Sequence, residues 1–516
     1  MRQDIALEVL LDGHSALLTG PAGTGKTYLL NQFISTAKAE GKHVSVTATT
    51  GLAATHLGGN TIHAWSGMGI ADAVNPGFAD HISKTRRETI EKTDVLIIDE
   101  ISMLHDFRLD MVDEICRLVR RKDEPFGGIQ IVMSGDFFQL PPVNRQDSRA
   151  GGFVVSSQVW QELDPVVLYL DEQHRQDDEE LLEILTALRA GDIRRHHAEK
   201  LLARAEVEPD NPDTITELHT VNIDVDTINH AKLAALDTEE REFQQFTTGS
   251  ANYVETLQRS VLAPSQLVLR KGALVMAVKN SPQRTYANGS IGTVVDFEPG
   301  TDYPVVEFRN GRTVTMVPDS WELRDGDKKR ASISQVPLRL AWAITVHKSQ
   351  GMTLDAARID LRKAFVPGMG YVALSRVKNI ESLYLYGINR TALSISEDAL
   401  AIDDVLRVKT KNDSTRFAYL AERAAKRAEE AKNPAKIKKK AGASGWSEKI
   451  AKMRETYPNA YKPWTNQDDA MLKQEFQNGR NAKALSELLG RHEGSITMRL
   501  QKHFGDDIIS ESDLAI

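Results

Sequence analysis

The sequence predicts an α/β protein of several domains, with parallel sheets covered by helices, and three observations carry that prediction. At 516 residues the chain exceeds the roughly 250–300 residues at which a single hydrophobic core stops growing. Short apolar runs closed by glycine or acid alternate with helical stretches, the pattern of strands buried on both faces. The first such run leads through a glycine-rich loop into a helix, an arrangement that turns backbone amides toward an anion.

Taken in order, "SALLTG" (15–20), "KHVSVTATTG" (42–51), "VLIIDE" (95–100) and "IQIVMSGD" (129–136) read as strands of a first α/β domain, residues 1–62 and 91–164. "KTYLLNQFISTAKAEGK" (26–42) is the helix after the first strand. The polar, weakly patterned stretch Met68–Lys92 is an excursion from the sheet, set aside as a small subdomain over 63–90. "PVVLYLDEQHRQ" (165–176) and an amphipathic helix over Glu179–Ala190 open a second α/β domain, residues 165–265 and 335–405. Between its two parts, 266–334 is a run of short alternating segments broken by Asn-Gly and Gly, the signal of an antiparallel β unit. "LDAARIDL" (354–361), "GYVALSRV" (370–377) and "SLYLYGI" (382–388) then return to strand and helix alternation. Residues 406–445 read as a basic linker and 446–516 as a C-terminal three-helix domain. There Thr465 and Asp468 cap a helix, Gly479 and Gly490 stop two, and Trp464, Ile496 and Leu500 supply the apolar face.

Composition excludes several classes. Apolar content of 41% and charged content of 26% suit a globular chain, and no run approaches the roughly 20 apolar residues of a membrane span. The first residues lack a basic start, an apolar centre and a small-residue cleavage site, so no secretory signal is expected. A single cysteine, Cys116, excludes an internal disulfide and a cysteine-rich metal site and fits a reducing compartment. In "MVDEICRLVRR" it sits at helical spacing with Met111, Ile115 and Leu118 and reads as a packed core thiol. Net charge of −8 argues against a polyanionic partner, but residues 405–445 hold 12 Lys and Arg against 4 Asp and Glu. That stretch suits a solvated tether at least as well as a nucleic-acid contact.

The chemistry-bearing residues begin with "GPAGTGKT", Gly20, Pro21, Ala22, Gly23, Thr24, Gly25, Lys26 and Thr27, followed by Tyr28. The glycines let amides curl around phosphates, Lys26 reaches the β- and γ-phosphates and Thr27 ligates Mg²⁺. Asp99 and Glu100 end an apolar strand. In such folds the first carboxylate holds Mg²⁺ and the second polarises the attacking water, which favours a hydrolase over a transferase. Gln139 in "SGDFFQLPPV" can hydrogen-bond a γ-phosphate, and the Pro141-Pro142 that follows is stiff. Arg175 and Arg376 each end an apolar run in the second α/β domain, where a cation can stabilise charge on a transferring phosphoryl group.

In order, "GPAGTGKT", "VTATTGLAA", "TIHAWSG", "VLIIDEISML", "SGDFFQLPPV", "DEQHRQ", "ITVHKSQGMTLD" and "GYVALSRV" resemble the consecutive motifs of a superfamily 1 helicase. "DEISMLHDFRLDMVDEICRLVRR" resembles the signature of the Pif-type (petite integration frequency) DNA helicases, relatives of the RecD helicases, and the resemblance covers roughly Gln3–Ile388. It implies two RecA-like motor domains with ATP and Mg²⁺ between them, a wedge over 63–90, an SH3-like β-barrel over 266–334, and 5′ to 3′ translocation on single-stranded DNA. It implies adenine recognition by Gln3, Mg²⁺ binding by Thr27 and Asp99, a general base in Glu100, γ-phosphate sensing by Gln139 and Arg175, and an arginine finger in Arg376. Gln350 and Gly351 would face the nucleotide. Thr50, His63, Pro141, Pro142, Val143, His347 and Lys348 would hold the strand. The tail resembles a Myb- or SANT-type domain, with Arg491, Arg499 and Lys502 near its last helix, and DNA or a protein are equal candidates for its partner.

The expected enzyme is an ATP-dependent DNA helicase, a monomeric motor on single strands, on single-to-double-strand junctions and on quadruplexes. Its setting would be replication, repair, recombination or telomere maintenance, in a cytoplasm and on a nucleoid if the source is bacterial. The alternatives are an ATP-gated strand-binding switch and an RNA motor. In "ITVHKSQG" (344–351) a Ser349–His347 nucleophile is not expected, because no acid completes a triad and adjacent side chains on a strand diverge. That polar run is read as a strand end joining the DNA and nucleotide sites.

Overall fold

The structure, a computed structural model, describes residues 1–69, 72–75, 77–144, 149–172, 178–281, 283, 285–286, 288–325, 328–432, 453–460, 462 and 464–504. Two compact units divide the chain, Met1–Ala424 and Ala425–Ile516.

In the first unit, β1 (Ala16–Thr19), β2 (Val44–Ala48), β3 (Asn60–Thr61), β4 (Val95–Asp99), β5 (Gln130–Ser134) and β6 (Val166–Tyr169) form one sheet in the order β3-β2-β4-β5-β1-β6. Every pairing is parallel. Side chains on a strand alternate between faces, and the core divides accordingly. Leu17, Leu96, Ile98, Ile131, Met133 and Val167 belong to one apolar cluster, and Ala16, Leu18, Val95, Ile97, Val132 and Val166 to another. The helix Lys26–Ala39 covers the second cluster with Leu29, Leu30, Phe33, Ile34 and Ala37. The helix Asp106–Arg120 covers the first with Leu109, Val112, Ile115 and Cys116. The Cys116 thiol is buried and its ionisation is pushed far up, as a core thiol requires.

The second sheet begins with β7 (Thr216–His219). After it come β8 (Glu240–Gln244), β9 (Phe246–Gly249), β10 (Gln266–Arg270), β11 (Leu274–Ala277), β12 (Ile291–Phe297), β13 (Pro304–Phe308), β14 (Thr313–Thr315), β15 (Asp319–Asp325), β16 (Lys328–Gln335) and β17 (Leu338–Leu340). These ten pair antiparallel in small sheets ordered β14-β13-β12-β11-β17, β15-β16-β9 and β10-β8. The antiparallel pairing therefore reaches from residue 240 to 340, past the 266–334 window on both sides. The earlier segments were hidden because β8 and β9 alternate polar residues with few apolar ones. β18 (Ala343–Thr345), β19 (Ala357–Leu361) and β20 (Leu383–Ile388) rejoin β7 in a parallel sheet of order β18-β7-β19-β20.

The basic stretch after residue 405 is not a bare tether at its start. Helices Glu397–Arg416 and Ala421–Lys432 occupy it, and the first lies along edge strand β6. The Asp413 carboxylate accepts the Val167 amide at 2.9 Å, and the Thr410 hydroxyl donates to the Val167 carbonyl at 2.9 Å. An edge strand offers unpaired backbone groups, and here side chains take them. Residues 433–445 lie outside the described residues.

The second unit holds helices Asn466–Gln477, Ala482–Leu489 and Glu493–Phe504 around Leu472, Leu485, Leu489, Ile496 and Leu500. Thr465 and Asp468 form the expected capping box, and Gly479 and Gly490 take positive φ of 87° and 60°. Among the described residues of either unit no helix is long and apolar enough to cross a membrane.

Candidate active site

β1 delivers the chain into the phosphate loop. Gly20 has φ +139°, and a Cβ there would lie 2.2 Å from the Leu170 carbonyl oxygen, so only glycine fits. Gly23 and Gly25 also take positive φ. The loop is held shut by its own residues: the Thr24 hydroxyl donates to the Pro21 carbonyl at 2.9 Å, and the Lys26 ammonium donates to the carbonyls of Gly20 and Pro21 at 2.8 and 2.9 Å. Thr27 and Tyr28 are exposed on the first helical turn. The Gln3 amide donates to the Thr24 carbonyl at 3.0 Å, so this residue braces the loop as well as lying beside it. The Ala22 amide donates to the Tyr371 hydroxyl of the second α/β domain at 3.0 Å.

β4 ends at Asp99, and Glu100 turns the chain with φ 53° and ψ 44°, a left-handed conformation uncommon for a residue with a side chain. Burial, then repulsion from Asp99, push the Glu100 carboxyl up to about 7, against the pull of Lys26, a hydrogen bond from Gln350 and Arg376. The Gln350 amide reaches the carboxylate at 2.9 Å. Burial also raises Asp99, against a hydrogen bond from Ser134. The two carboxyls stand side by side out of water, with Lys26 and Arg376 near enough to favour their charge. The hard oxygens of Asp99 and Thr27 suit Mg²⁺ there.

Gln139 is buried at 7% exposure beside the cleft, and its Oε1 has no hydrogen-bond donor among the described residues. A buried amide oxygen without a donor calls for a water or ligand. Arg376 is 1% exposed. Its guanidinium donates to the carbonyls of Val372, Ser349 and Met352 at 2.8, 3.3 and 3.1 Å and to the Ser375 hydroxyl at 2.7 Å. It is thus seated in its own domain, near enough to Glu100 to lower that group's proton affinity. Arg175 lies outside the described residues.

The structure corrects the reading of "ITVHKSQG" as a strand end. The strand stops at Thr345, whose hydroxyl accepts the Lys348 amide at 3.3 Å and caps a helical turn, Val346–Ser349. A β-capable threonine followed by helix-compatible residues favours that cap. His347 and Lys348 are half-buried on the turn, and burial lowers both from their usual values. Gln350 follows directly and turns to Glu100, while Gly351 takes φ 78°. The His347 ring runs nearly parallel to Phe365, 19° between planes with centroids 6.3 Å apart, and Phe365 is 58% exposed. Sequence reasoning passed over Phe365. Its one signal is an aromatic set in a charged, Pro-Gly-terminated turn, "RKAFVPG".

The remaining strand candidates, Thr50, His63, Pro141, Pro142 and Val143, all come from the N-terminal third of the chain. Thr50 caps the helix Gly51–His56 by accepting the Ala53 amide at 3.2 Å, and its neighbour Thr49 donates to the Glu100 carbonyl at 2.9 Å. His63 is held down at about 4 by burial, then by Arg108 and His105, so it is uncharged at neutral pH. His105 reaches Asn144 at 3.1 Å, directly after Pro141, Pro142 and Val143. Val143 is 59% exposed. His105 and Arg108 lie in the signature segment, but the sequence assigned neither of them a role.

Two groups outside the cleft carry less. Glu183, His196 and His197 lie close enough to hold a cation. However, His197 Nδ1 accepts the Arg194 amide, which leaves its proton on Nε2, and Lys200 already pairs with Glu183 at 3.1 Å. In the C-terminal unit, Arg491 pairs with Asp468 at 2.9 Å and Arg499 with Asp469 at 2.5 Å, and both flank the Trp464 ring. The two arginines are therefore committed within the module.

Comparison with known proteins bears on all of this. The profile of a family described as PIF1-like helicase matches residues 4–197. The chain is 38% identical over 462 residues to the ATP-dependent DNA helicase Pif1 of Psychrobacter sp. (strain PRwf-1), covering 78% of this chain and 70% of that protein. It is 35% identical over 412 residues to the ATP-dependent DNA helicase PIF1 of Homo sapiens, of which it spans 63%. Among solved structures, Pif1 helicase from Candida albicans aligns at TM-score 0.68 and 33% identity, covering 78% of this chain and 98% of that one. Pif1 from Bacteroides in complex with ADP-AlF3 and single-stranded DNA aligns at 0.60 and 31%, covering 80% and 98%.

Proposed function

The chain belongs to the PIF1-like helicase family, and on that premise we propose that it is an ATP-driven DNA helicase that tracks along single strands from 5′ to 3′ and opens duplex or structured DNA. The two parallel-sheet domains are its RecA-like motors. The observation that carries the reading is the 2.9 Å hydrogen bond from Gln350 to Glu100, one residue past the helical turn that presents His347 and Lys348. It ties a strand-facing turn of one motor to the general base of the other.

In this mechanism Lys26 leaves the carbonyls of Gly20 and Pro21 for the β- and γ-phosphate oxygens, and the loop amides share their charge. Asp99 and Thr27 would hold Mg²⁺, which when bound would neutralise phosphate charge. Glu100, poised near neutrality, takes a proton from water as that water's oxygen attacks the γ-phosphorus and the bond to the leaving ADP breaks. Gln139 offers its free Oε1 to the same water, and its NH₂ can donate to the γ-phosphate. Arg376, freed from its carbonyl partners as the motors close, meets the developing charge, and Arg175 is assigned the sensor role by the family motif.

For the strand, neutral His63 and the half-buried Pro141 and Pro142 with exposed Val143 give stacking and backbone contacts on the first motor. The parallel His347 and Phe365 rings give a base platform on the second. Residues 63–90 are assigned the wedge, and the antiparallel sheets the SH3-like barrel. The motor acts as a monomer on junctions and on quadruplexes. The tail is assigned a Myb- or SANT-like fold. With Arg491 and Arg499 taken up internally, a protein partner suits it better than DNA.

The test is unwinding of duplexes carrying a 5′ or a 3′ single-stranded tail, of DNA or RNA, by wild type and Lys26→Ala. Unwinding from the 5′ DNA tail alone, lost in Lys26→Ala, is expected. Strand-stimulated ATP hydrolysis with no unwinding on any tail would instead identify a nucleotide-gated switch.

A further inference from the structure

Arg189 and Tyr371 have no part in the chemistry above, yet they fill the joint between the motors. Arg189 ends the helix Glu179–Arg189 and is 7% exposed. Its guanidinium donates to the Asp136 carboxylate at 2.6 Å, the Tyr169 hydroxyl at 2.9 Å and the Tyr371 hydroxyl at 3.2 Å. It lies 3.5 Å from the Asp403 carboxylate and covers the Phe138 ring at 4.0 Å. The Tyr371 hydroxyl accepts the Ala22 amide at 3.0 Å and donates to Asp136 at 3.2 Å. A hydroxyl has one proton and two lone pairs, so with Arg189 these bonds use its full capacity.

Asp136 is the pivot. Its carboxylate accepts the Phe138 amide at 3.2 Å and its carbonyl accepts the Gln139 amide at 3.0 Å, so the turn that aims Gln139 is built on it. Tyr371 lies on the helix Met369–Leu374, which leads to Arg376. A single guanidinium thus grips the base of the Gln139 turn in one motor and the helix leading to Arg376 in the other. Tyr371 ties both to the phosphate loop at Ala22. Arginine suits this post because its planar fork can hold acceptors in two domains and it keeps its charge at every relevant pH. The two carboxylates offset its removal from water.

We propose that Arg189 is a positioning residue that, acting through Asp136 and Tyr371, makes Gln139 and Arg376 move together with the phosphate loop. Ala22 has a single N–H to give. A phosphate oxygen that takes it releases the Tyr371 hydroxyl, so occupancy of the loop is signalled to the second motor before Arg376 engages. The proposal rests on reading this cleft as the site of ATP hydrolysis.

Tyr371→Phe keeps the ring and removes all three bonds, and Arg189→Lys keeps the charge without the fork. With a saturating single-stranded oligonucleotide, each is expected to lower kcat for ATP about tenfold or more while KM for ATP changes less than about threefold. The double variant should be no slower than the slower single, because both break one link. In the nucleotide-free protein, amide exchange at Ala22 should speed up about tenfold in Tyr371→Phe. A Tyr371→Phe kcat within twofold of wild type, losses that add in the double variant, a KM that rises as kcat falls, or unchanged Ala22 exchange would each overturn it. A wild-type protein that hydrolyses no ATP with DNA would sink the helicase reading instead, and the exchange measurement still decides the link.

Discussion

Glu100 is placed against its own chemical preference: it stands half-buried in a left-handed backbone conformation, beside a second carboxylate that repels it. A group held near 7 is matched to proton transfer at neutral pH. The base works only when unprotonated, so kcat/KM for ATP should fall as pH drops below about 7. Gln350→Leu removes a donor that favours the anion, and the midpoint of that profile should move to higher pH. A profile that stays in place would show that Glu100 is not the titrating base. Stability carries the opposite sign. The folded protein holds this proton more tightly than the unfolded chain, so the favourable contribution is complete below the unfolded value of 4.5 and lost as pH rises through about 7. Glu100→Gln should therefore raise Tm at pH 8 more than at pH 5, with turnover abolished. The carboxylate was legible from its motif. Its partner was not, because Gln350 lies 250 residues away and nothing local pairs them.

At the scale of elements, the turn before the helix Met369–Leu374 decides how closely the motors approach. Gly368 has φ +85°, and a Cβ there would lie 2.8 Å from the Phe138 carbonyl oxygen and 2.9 Å from that of Gln139. Gly368→Ala therefore meets backbone that cannot give way, and the left-handed conformation alone costs about 1–2 kcal/mol. The expected result is a lower Tm together with a reduced strand-stimulated kcat, measured by calorimetry and steady-state hydrolysis. Retention of both would mean that the turn and Gln139 can separate freely. Elements with a strong period, such as the helix Lys26–Ala39 and strands β1, β4 and β5, were evident from apolar spacing. The turn Val346–Ser349 was not, because an apolar run that stops at a capping threonine leaves strand and helix equally open until Thr345 is seen to accept the Lys348 amide.

At the scale of the molecule, the first unit is closed by a helix from beyond the second motor. Glu397–Arg416 covers the edge of β6 through Asp413 and Thr410, and Arg423 binds buried Glu8 at 2.7 Å and Asp12 at 2.9 Å on the N-terminal helix. A chain ended after residue 432 should keep strand-stimulated ATPase within about twofold of full length, because the C-terminal helices pack on a core of their own. A chain ended after residue 396 exposes the edge strand and should aggregate on light scattering. If the chain ended after residue 432 lost activity, the tail would belong to the motor. The basic composition of 405–445 concealed this role, since charge counts do not distinguish a solvated run from a helix whose hydrogen-bond partners lie on a distant strand.

The sequence by itself determined the phosphate loop, the Asp-Glu pair, the order of the motifs and hence the family, because each of these needs fixed residue types at short fixed spacing. Tertiary structure alone decided which of those residues meet. Gln350 bonds Glu100, Arg189 bonds Asp136 and Tyr371, Tyr371 bonds Ala22, and Phe365 lies parallel to His347. Each of these contacts is made across a fold boundary or a long loop, where the partner is selected by packing and not by anything adjacent in the chain. "ITVHKSQG" announced polar work without naming its geometry, and the cap at Thr345 is what turns its polar residues out of the strand into a helical turn.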